Sequence, residues 1–324
     1  MQMTRLGRSG LDVSRIAFGT WQVGGDWGDF DSESAIAAIR RAHDLGVNFF
    51  DTAQAYGFGT AEQLLSRALG SELKRDRDSI VIATKGGINP GTDRPRDASR
   101  SWLRHGVEES LRHLDVDYID LYQVHWPDSA TPAEETANAL QELVDEGKIR
   151  HVGVSNYTAA QLAEFDAVRP VETLQPPYHL LRRSVEQDSL AYAREHDIGV
   201  LAYSVLGSGL LTGTLSRQST FAPGDWRSHA SAFRGESLRR NLEVVDELAS
   251  FAASKNASVS QLAIAWTLAQ PGVHVAIVGA RRPGTIEASI AGVDVRLSDA
   301  DLAEIERITA PGVPVGGATP EGIE

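Results

Sequence analysis

The sequence predicts an α/β fold: one (β/α)8 barrel with an N-terminal β-hairpin and two extra helices. Three observations predict it. Short apolar, β-rich runs alternate with longer segments of helical period almost to the end of the chain, the runs number eight, and 324 residues suit one large barrel domain. Repeated strand-then-helix units call for parallel strands joined by crossover helices, and eight of them close a sheet so that no edge is left open. An open doubly wound sheet is the competing architecture.

The elements follow in order. Residues 6–14, LGRSGLDVS, read as a tight hairpin. The eight runs are RIAFGT (15–20), VNFFDT (47–52), SIVIATK (79–85), YIDLYQVH (118–125), IRHVGVSN (149–156), VETLQ (171–175), IGVLAYS (198–204) and VHVAIVG (273–279). Amphipathic stretches separate them, as in residues 32–46, where Ala35, Ile36, Ile39 and Ala42 share a face and Gly46 is placed to cap the C-terminus. Two further helical segments break the repeat: residues 236–255, ahead of VSQLAIAWTLA (259–269), and LSDADLAEIERIT (297–309) after the last unit. Residues 207–235 form a long Gly-, Ser- and Arg-rich segment after the seventh strand, and a loop of that length usually serves function. The whole chain, 1–324, is read as a single TIM-barrel domain. Its Gly/Pro-rich tail, about 311–324, either folds over the barrel mouth or extends into solvent, and solvent is the default for a terminus.

Composition narrows the function. Lys and Arg total 31 against 44 Asp and Glu, a formal charge of -13, so the average surface repels nucleic-acid backbones and anionic membranes. With no Cys, disulfide scaffolds, thiolate zinc sites and cysteine nucleophiles are excluded. No apolar run is long enough to span a bilayer and no leader pattern is present, which gives a cytoplasmic expectation. There is no G-x-G-x-x-G after a strand, no H-E-x-x-H and no P-loop.

Barrel active sites form at the C-terminal ends of the strands, so the polar residues ending each run are the informative ones. These are Asp51, Lys85, His125, Ser155 with Asn156, Gln175, and Tyr203 with Ser204. Singly, Asp51 suits a turn cap, Lys85 a solvated strand end and His125 a structural histidine; Tyr56 alone suits a loop aromatic. Together they suggest one charged mouth. A tyrosine hydroxyl has a pKa of about 10 in water, too high for efficient proton exchange at neutral pH. A neighbouring Lys85 ammonium favours the phenolate, Asp51 keeps that lysine charged and placed, and His125 either orients a substrate carbonyl or assists the proton transfer. The chemistry requires no metal ion.

The motifs GVNFFDTAQAYGFGTAEQLL, ATKGG, YQVHWPD, GVSNY, LQPPYHLL, LAYSVLGSGLLTG and IVGARRP occur in this order across nearly the whole chain. In this the sequence resembles the aldo-keto reductase superfamily. The resemblance implies an oxidoreductase in which Asp51, Tyr56, Lys85 and His125 form the catalytic tetrad and Tyr56 protonates the carbonyl oxygen as hydride reaches carbon. It implies nicotinamide contacts from Ser155, Asn156 and Gln175, ring stacking on Tyr203, and further cofactor contacts from Gly19, Thr20, Trp21 and Asp51. Ser204, Leu206, Gly207 and Gly209 match the pyrophosphate loop, and Gly279 and Arg281 the adenine-ribose segment.

Arg281, with Arg282 as its alternative, gives a preference for NADP(H) over NAD(H), because guanidinium suits a 2′-phosphate. Thr214, Thr285, Ala288 and Ser289 replace residues usual in relatives at this end, and Arg227 or Arg234 is placed to compensate; Ser66 replaces a common glycine. Trp21, Trp27, Tyr56, His125 and Trp126 are the expected substrate walls around a small carbonyl compound. The alternative reading is a cofactor-binding regulatory subunit, since potassium-channel beta subunits resemble the same family.

Overall fold

A computed structural model describes residues 1–24, 30–222 and 225–320, together with the backbone of 322–323. Trp27, one of the expected substrate walls, lies outside the described residues. Eight parallel strands close a barrel: β3 (Ile16–Gly19), β4 (Phe49–Asp51), β5 (Val81–Gly86), β6 (Ile119–Val124), β7 (Ile149–Ser155), β8 (Thr173–Gln175), β9 (Gly199–Ala202) and β10 (Val275–Gly279), with β10 pairing back onto β3. Each lies within one of the eight apolar runs or runs one residue past it, so the (β/α)8 expectation is borne out.

Side chains alternate across this wall with the period of two that strands impose. Ala17, Phe49, Val81, Ala83, Leu121, Leu201, Val275 and Ile277 fill the barrel interior, while Phe18, Phe50, Ile82, Tyr122 and Val200 face the helices. The same alternation carries Asp51, Lys85 and Gln123 to the inner face.

The hairpin at the N-terminus is real but not tight. Its strands are β1 (Met3–Arg5) and β2 (Asp12–Ser14), and residues 6–11 connect them through a short turn of 3-10 helix. The connection is long because Leu6 folds inward: it is fully buried among the barrel-interior residues and closes the bottom of the barrel.

The ring of helices comprises α1 (Ser32–Asp44), α2 (Thr60–Arg75), α3 (Arg100–Leu114), α4 (Ala133–Asp145), α5 (Ala159–Asp166), α6 (Ser189–Glu195), α8 (Val259–Ala269) and α9 (Pro283–Ile290). The two extra helices are α7 (Gly235–Ser254) and α10 (Asp299–Thr309), which pack against each other. The apolar stripe read in residues 32–46 is the buried face of α1.

Beyond α10 the tail is tied down. Asn241 Oδ1 accepts from the Val313 amide at 2.8 Å, Leu181 O accepts from Val315 at 3.0 Å, and the Val315 side chain is buried. The tail then crosses the mouth as a small hairpin of β11 (Ala318–Thr319) and β12 (Gly322–Ile323). The solvent default does not describe this segment, because its backbone amides find acceptors on the Asn241 side chain of α7 and on the loop after β8. None of the described helices is long and apolar enough to cross a membrane.

Candidate active site

The residues expected to form the tetrad come together where β4, β5 and β6 end. Beyond β4 the chain stays on β5: the Thr52 amide donates to Ala83 O and the Gln54 amide to Lys85 O. A turn closed by Tyr56 N donating to Ala53 O at 3.0 Å then swings the Tyr56 ring over the barrel mouth. Lys85 Nζ donates to Asp51 Oδ1 at 2.6 Å and to Thr52 O at 2.8 Å, and stands 3.4 Å from the Tyr56 hydroxyl. Lys85 is fully buried and Asp51 nearly so. Burial pushes the Lys85 ammonium below its usual range, and the Asp51 carboxylate opposes that shift. The His125 ring meets Tyr56 edge to face at 5.6 Å, and Trp21 lies roughly parallel to Tyr56 at 6.4 Å.

A second group of polar side chains continues the site across β7, β8 and β9. Gln175 Nε2 donates to the other Asp51 oxygen at 2.8 Å. Ser155 Oγ donates to Gln175 O, Asn156 Nδ2 donates to Ser155 Oγ and to His125 O, and the Tyr203 hydroxyl donates to Asn156 Oδ1 at 2.8 Å. Asn156 adopts a left-handed φ of 64°, which asparagine tolerates better than most residues. The network joins the tetrad to the expected nicotinamide contacts, and Gln175 belongs to both.

Two cavities share this wall. The narrower, about 100 Å³, runs from the β3 end to the loop after β9 and is lined by Gly19, Trp21, Asp51, Tyr56, Gln175, Tyr203, Ser204, Leu206, Gly209 and Gly279 from the expected sets. The wider, about 430 Å³, is lined by Trp21, Tyr56, His125, Trp126, Ser155, Asn156, Gln175 and Tyr203. Thr20 lies outside both linings and donates its hydroxyl to Thr52, and Gly207 and Arg281 also lie outside both. Arg234 is exposed and lines neither.

Several lining residues were not singled out from the sequence. Gln22, Val205, Ser208, Ile277 and Val278 line the narrow cleft, and Ala55, Ile88, Trp226, Ala318, Thr319 and Pro320 line the wide cavity. Trp226 comes from the long loop after β9, whose length was the available signal. That loop carries a small core of its own, with Phe221 and Trp226 each edge-on to Phe233.

The loop that opens this segment is strained. Ser204 and Ser208 have left-handed φ of 59° and 54°, while Gly207 and Gly209 take φ of 54° and 97° at no steric cost, and strained non-glycine residues collect at ligand-binding turns. A side chain at Gly209 would press on the Arg227 guanidinium, 3.2 Å from the added carbon. Arg227 is held by Asp225 at 2.6 Å and donates to Ser208 O at 3.0 Å, which fixes it behind the turn. On α9, Ser289 Oγ turns back to Thr285 O.

His125 is neutral at physiological pH, because burial first and the Lys85 charge second push its pKa well below the ordinary value. Burial also pushes His179 down to about 3, and lowers His274. All three bind protons more readily in the unfolded chain. Their stabilisation is therefore complete above the unfolded value of about 6.5 and is lost as pH falls toward the folded values. Unfolding free energy is expected to fall between about pH 6.5 and 4.5, by up to about 1.4 kcal/mol per pH unit for the fully buried His179 and with the same sign for His125 and His274. Denaturant titrations across that range check this; a flat profile would contradict it.

Residues 15–310 match the Aldo/keto reductase family. The chain is 41% identical to the Aldo-keto reductase YhdN of Bacillus subtilis (strain 168), over 95% of this chain and 93% of that protein. It is 34% identical to the NADH-specific methylglyoxal reductase of Escherichia coli (strain K12), over 93% and 96% of the two chains. A solved structure of a glycerol dehydrogenase from Gluconobacter oxydans superposes with a TM-score of 0.83 at 39% identity, covering 94% of each chain.

Proposed function

The chain belongs to the aldo/keto reductase family and is an NAD(P)H-dependent oxidoreductase, and we propose that it reduces an uncharged aldehyde or ketone to the alcohol with NADP(H), Tyr56 giving the proton. One observation carries the reading: Tyr56 and His125 share the wall of the wide cavity while Lys85, joined to Asp51, stands 3.4 Å from the Tyr56 hydroxyl.

The donor set suits a nicotinamide cofactor. Gln175 and Tyr203 line both cavities and Ser155 and Asn156 the wide one, so a hydroxyl, two amides and an aromatic face gather where the two cavities adjoin. The turn at 204–209 lines the other end, with Arg227 held behind it and Arg281, outside the lining, within electrostatic reach of Arg227. Bound there, the reduced nicotinamide supplies the hydride for the carbonyl carbon.

The protein's own residues do the rest. Tyr56 donates a proton to the carbonyl oxygen, Lys85 stabilises the phenolate that results, and Asp51 holds Lys85 in place. His125, being neutral, offers a hydrogen bond to the same oxygen without bringing a charge into the cavity. The closely placed guanidiniums of Arg281 and Arg227 favour an additional phosphate, which is the basis for the NADP(H) preference.

The substrate's charge follows from the wide cavity. Its described lining includes Trp21, Trp126 and Trp226, and no Asp, Glu, Lys or Arg. Arg96 lies over the Trp126 ring, 4.8 Å from its centre. An anionic substrate would lose water there with no cationic side chain among the described lining residues, the nearby Arg96 being behind the Trp126 ring. The test is turnover with NADPH and with NADH across neutral carbonyls and carboxylate- or phosphate-bearing counterparts of similar size. The expected outcome is a kcat/KM at least about tenfold higher for the neutral set and a lower Kd for NADPH than for NADH. Faster turnover of the anionic set would contradict the substrate reading, and tighter NADH binding the cofactor reading.

A further inference from the structure

Behind the tetrad, on the outer side of the barrel wall, lies a buried carboxylate that the mechanism above does not use. Glu62, two residues into α2, is fully buried on the face of the helix that also carries Leu65 and Leu69. A carboxylate in such a place is costly unless it is paired and hydrogen-bonded. Glu62 has both kinds of partner: the Thr84 hydroxyl donates to Oε1 at 2.7 Å, and His113 Nδ1 lies 3.2 Å from Oε2.

Those partners come from three elements that meet at the catalytic pair. Glu62 stands one turn of helix after the loop that carries Tyr56. Thr84 precedes Lys85 on β5 and points outward where Lys85 points inward. His113, near the end of α3, packs flat on Gly59 in the Tyr56 loop; any side chain at Gly59, whose φ is 103°, would overlap the imidazole. One carboxylate thus bridges α2, which follows the Tyr56 loop, to β5, on which Lys85 stands 3.4 Å from the Tyr56 hydroxyl.

We propose that Glu62 is a positioning residue for the Tyr56–Lys85 pair, clamping the tyrosine loop to the lysine strand through Thr84 and His113 and setting a second negative charge behind the Lys85 ammonium. The inference rests on the reductase reading. Its electrostatic part agrees with Glu62 acting beside Asp51 to favour the charged lysine. The groups facing Glu62 are Thr84 and, through the wall, Lys85 on β5, Tyr122 on β6, and His113 on α3, with Glu109 3.8 Å beyond the histidine.

Glu62→Gln retains the shape and removes the charge; Thr84→Val removes one hydrogen bond at nearly constant volume. For folded Glu62→Gln the expected result is a kcat about tenfold lower with KM and NADPH Kd unchanged, and an alkaline limb of the kcat–pH profile moved down by about half a unit, because Lys85 loses its proton more easily. A purely structural role would lower kcat equally at every pH. Thr84→Val is expected to lower kcat by a smaller factor with the limb in place, and it carries the geometric half of the test if Glu62→Gln does not fold. Turnover that is lost in Tyr56→Phe but unchanged in Glu62→Gln or, failing that variant, in Thr84→Val overturns the assignment of Glu62 alone. Absence of turnover in the unmutated protein overturns the reductase reading and this inference with it.

Discussion

Tyr56→Phe is expected to lower kcat for carbonyl reduction by a factor of about 10²–10⁴, the usual worth of a positioned proton donor, while NADPH binds as before. The substitution removes one oxygen. The ring keeps its edge-to-face contact with His125 at 5.6 Å and its neighbour Trp21 at 6.4 Å, so the cavity wall survives. What disappears is the one phenolic hydroxyl among the described residues that stands both at the cavity and 3.4 Å from Lys85 Nζ. His125 is a poor substitute because it is neutral and its pKa is held well below the ordinary value. Steady-state kinetics with a paired NADPH titration checks this. Full activity in the variant would move the proton donor elsewhere.

Lys85→Met is expected to damage stability and activity together, and the two effects separate in a double variant. Lys85 is buried with Asp51, whose oxygens accept from Lys85 Nζ at 2.6 Å and from Gln175 Nε2 at 2.8 Å. Removing the lysine leaves a buried carboxylate with its charge uncompensated, a situation that costs about 3–5 kcal/mol, a large part of the roughly 5–15 kcal/mol by which domains are stable. Adding Asp51→Asn removes the orphaned charge, so the double variant should regain most of that loss in a denaturant titration. Activity should stay down by at least about 10², because no cation remains beside Tyr56. If stability alone suffers in Lys85→Met and residual turnover per folded molecule is normal, Lys85 serves only the fold.

Much of this arrangement was legible in the sequence, and for a definite reason. Interior strand positions reject Asp, Lys and His, so Asp51, Lys85 and His125 at the ends of successive apolar runs announced one mouth before any coordinates. The alternation that sends Ala83 inward and Ile82 outward fixes Lys85 on the inside as well. Residues set by tertiary contact rather than by period were not legible. Trp226 reaches the cavity because Phe221 and Phe233 hold its loop, and Thr319 reaches it because Asn241 and Leu181 anchor the tail at Val313 and Val315. Glu62 had a signal that went unread: it occupies the apolar stripe of α2, three and seven residues before Leu65 and Leu69, where a carboxylate has no place without partners. The adenine end shows the reverse case. The resemblance gives Arg281 a cofactor contact, yet the cleft lining stops at Gly279.

The most direct measurement is a single-turnover mix of the NADPH-loaded protein with a neutral aldehyde, following the reduced-nicotinamide absorbance in the wild type and in Tyr56→Phe. The account requires a rapid decay in the wild type that slows by about 10² or more in the variant, with equal NADPH loading of both. An equal decay in the two proteins would contradict the role of Tyr56, and no decay in either, despite full loading, would contradict carbonyl reduction itself.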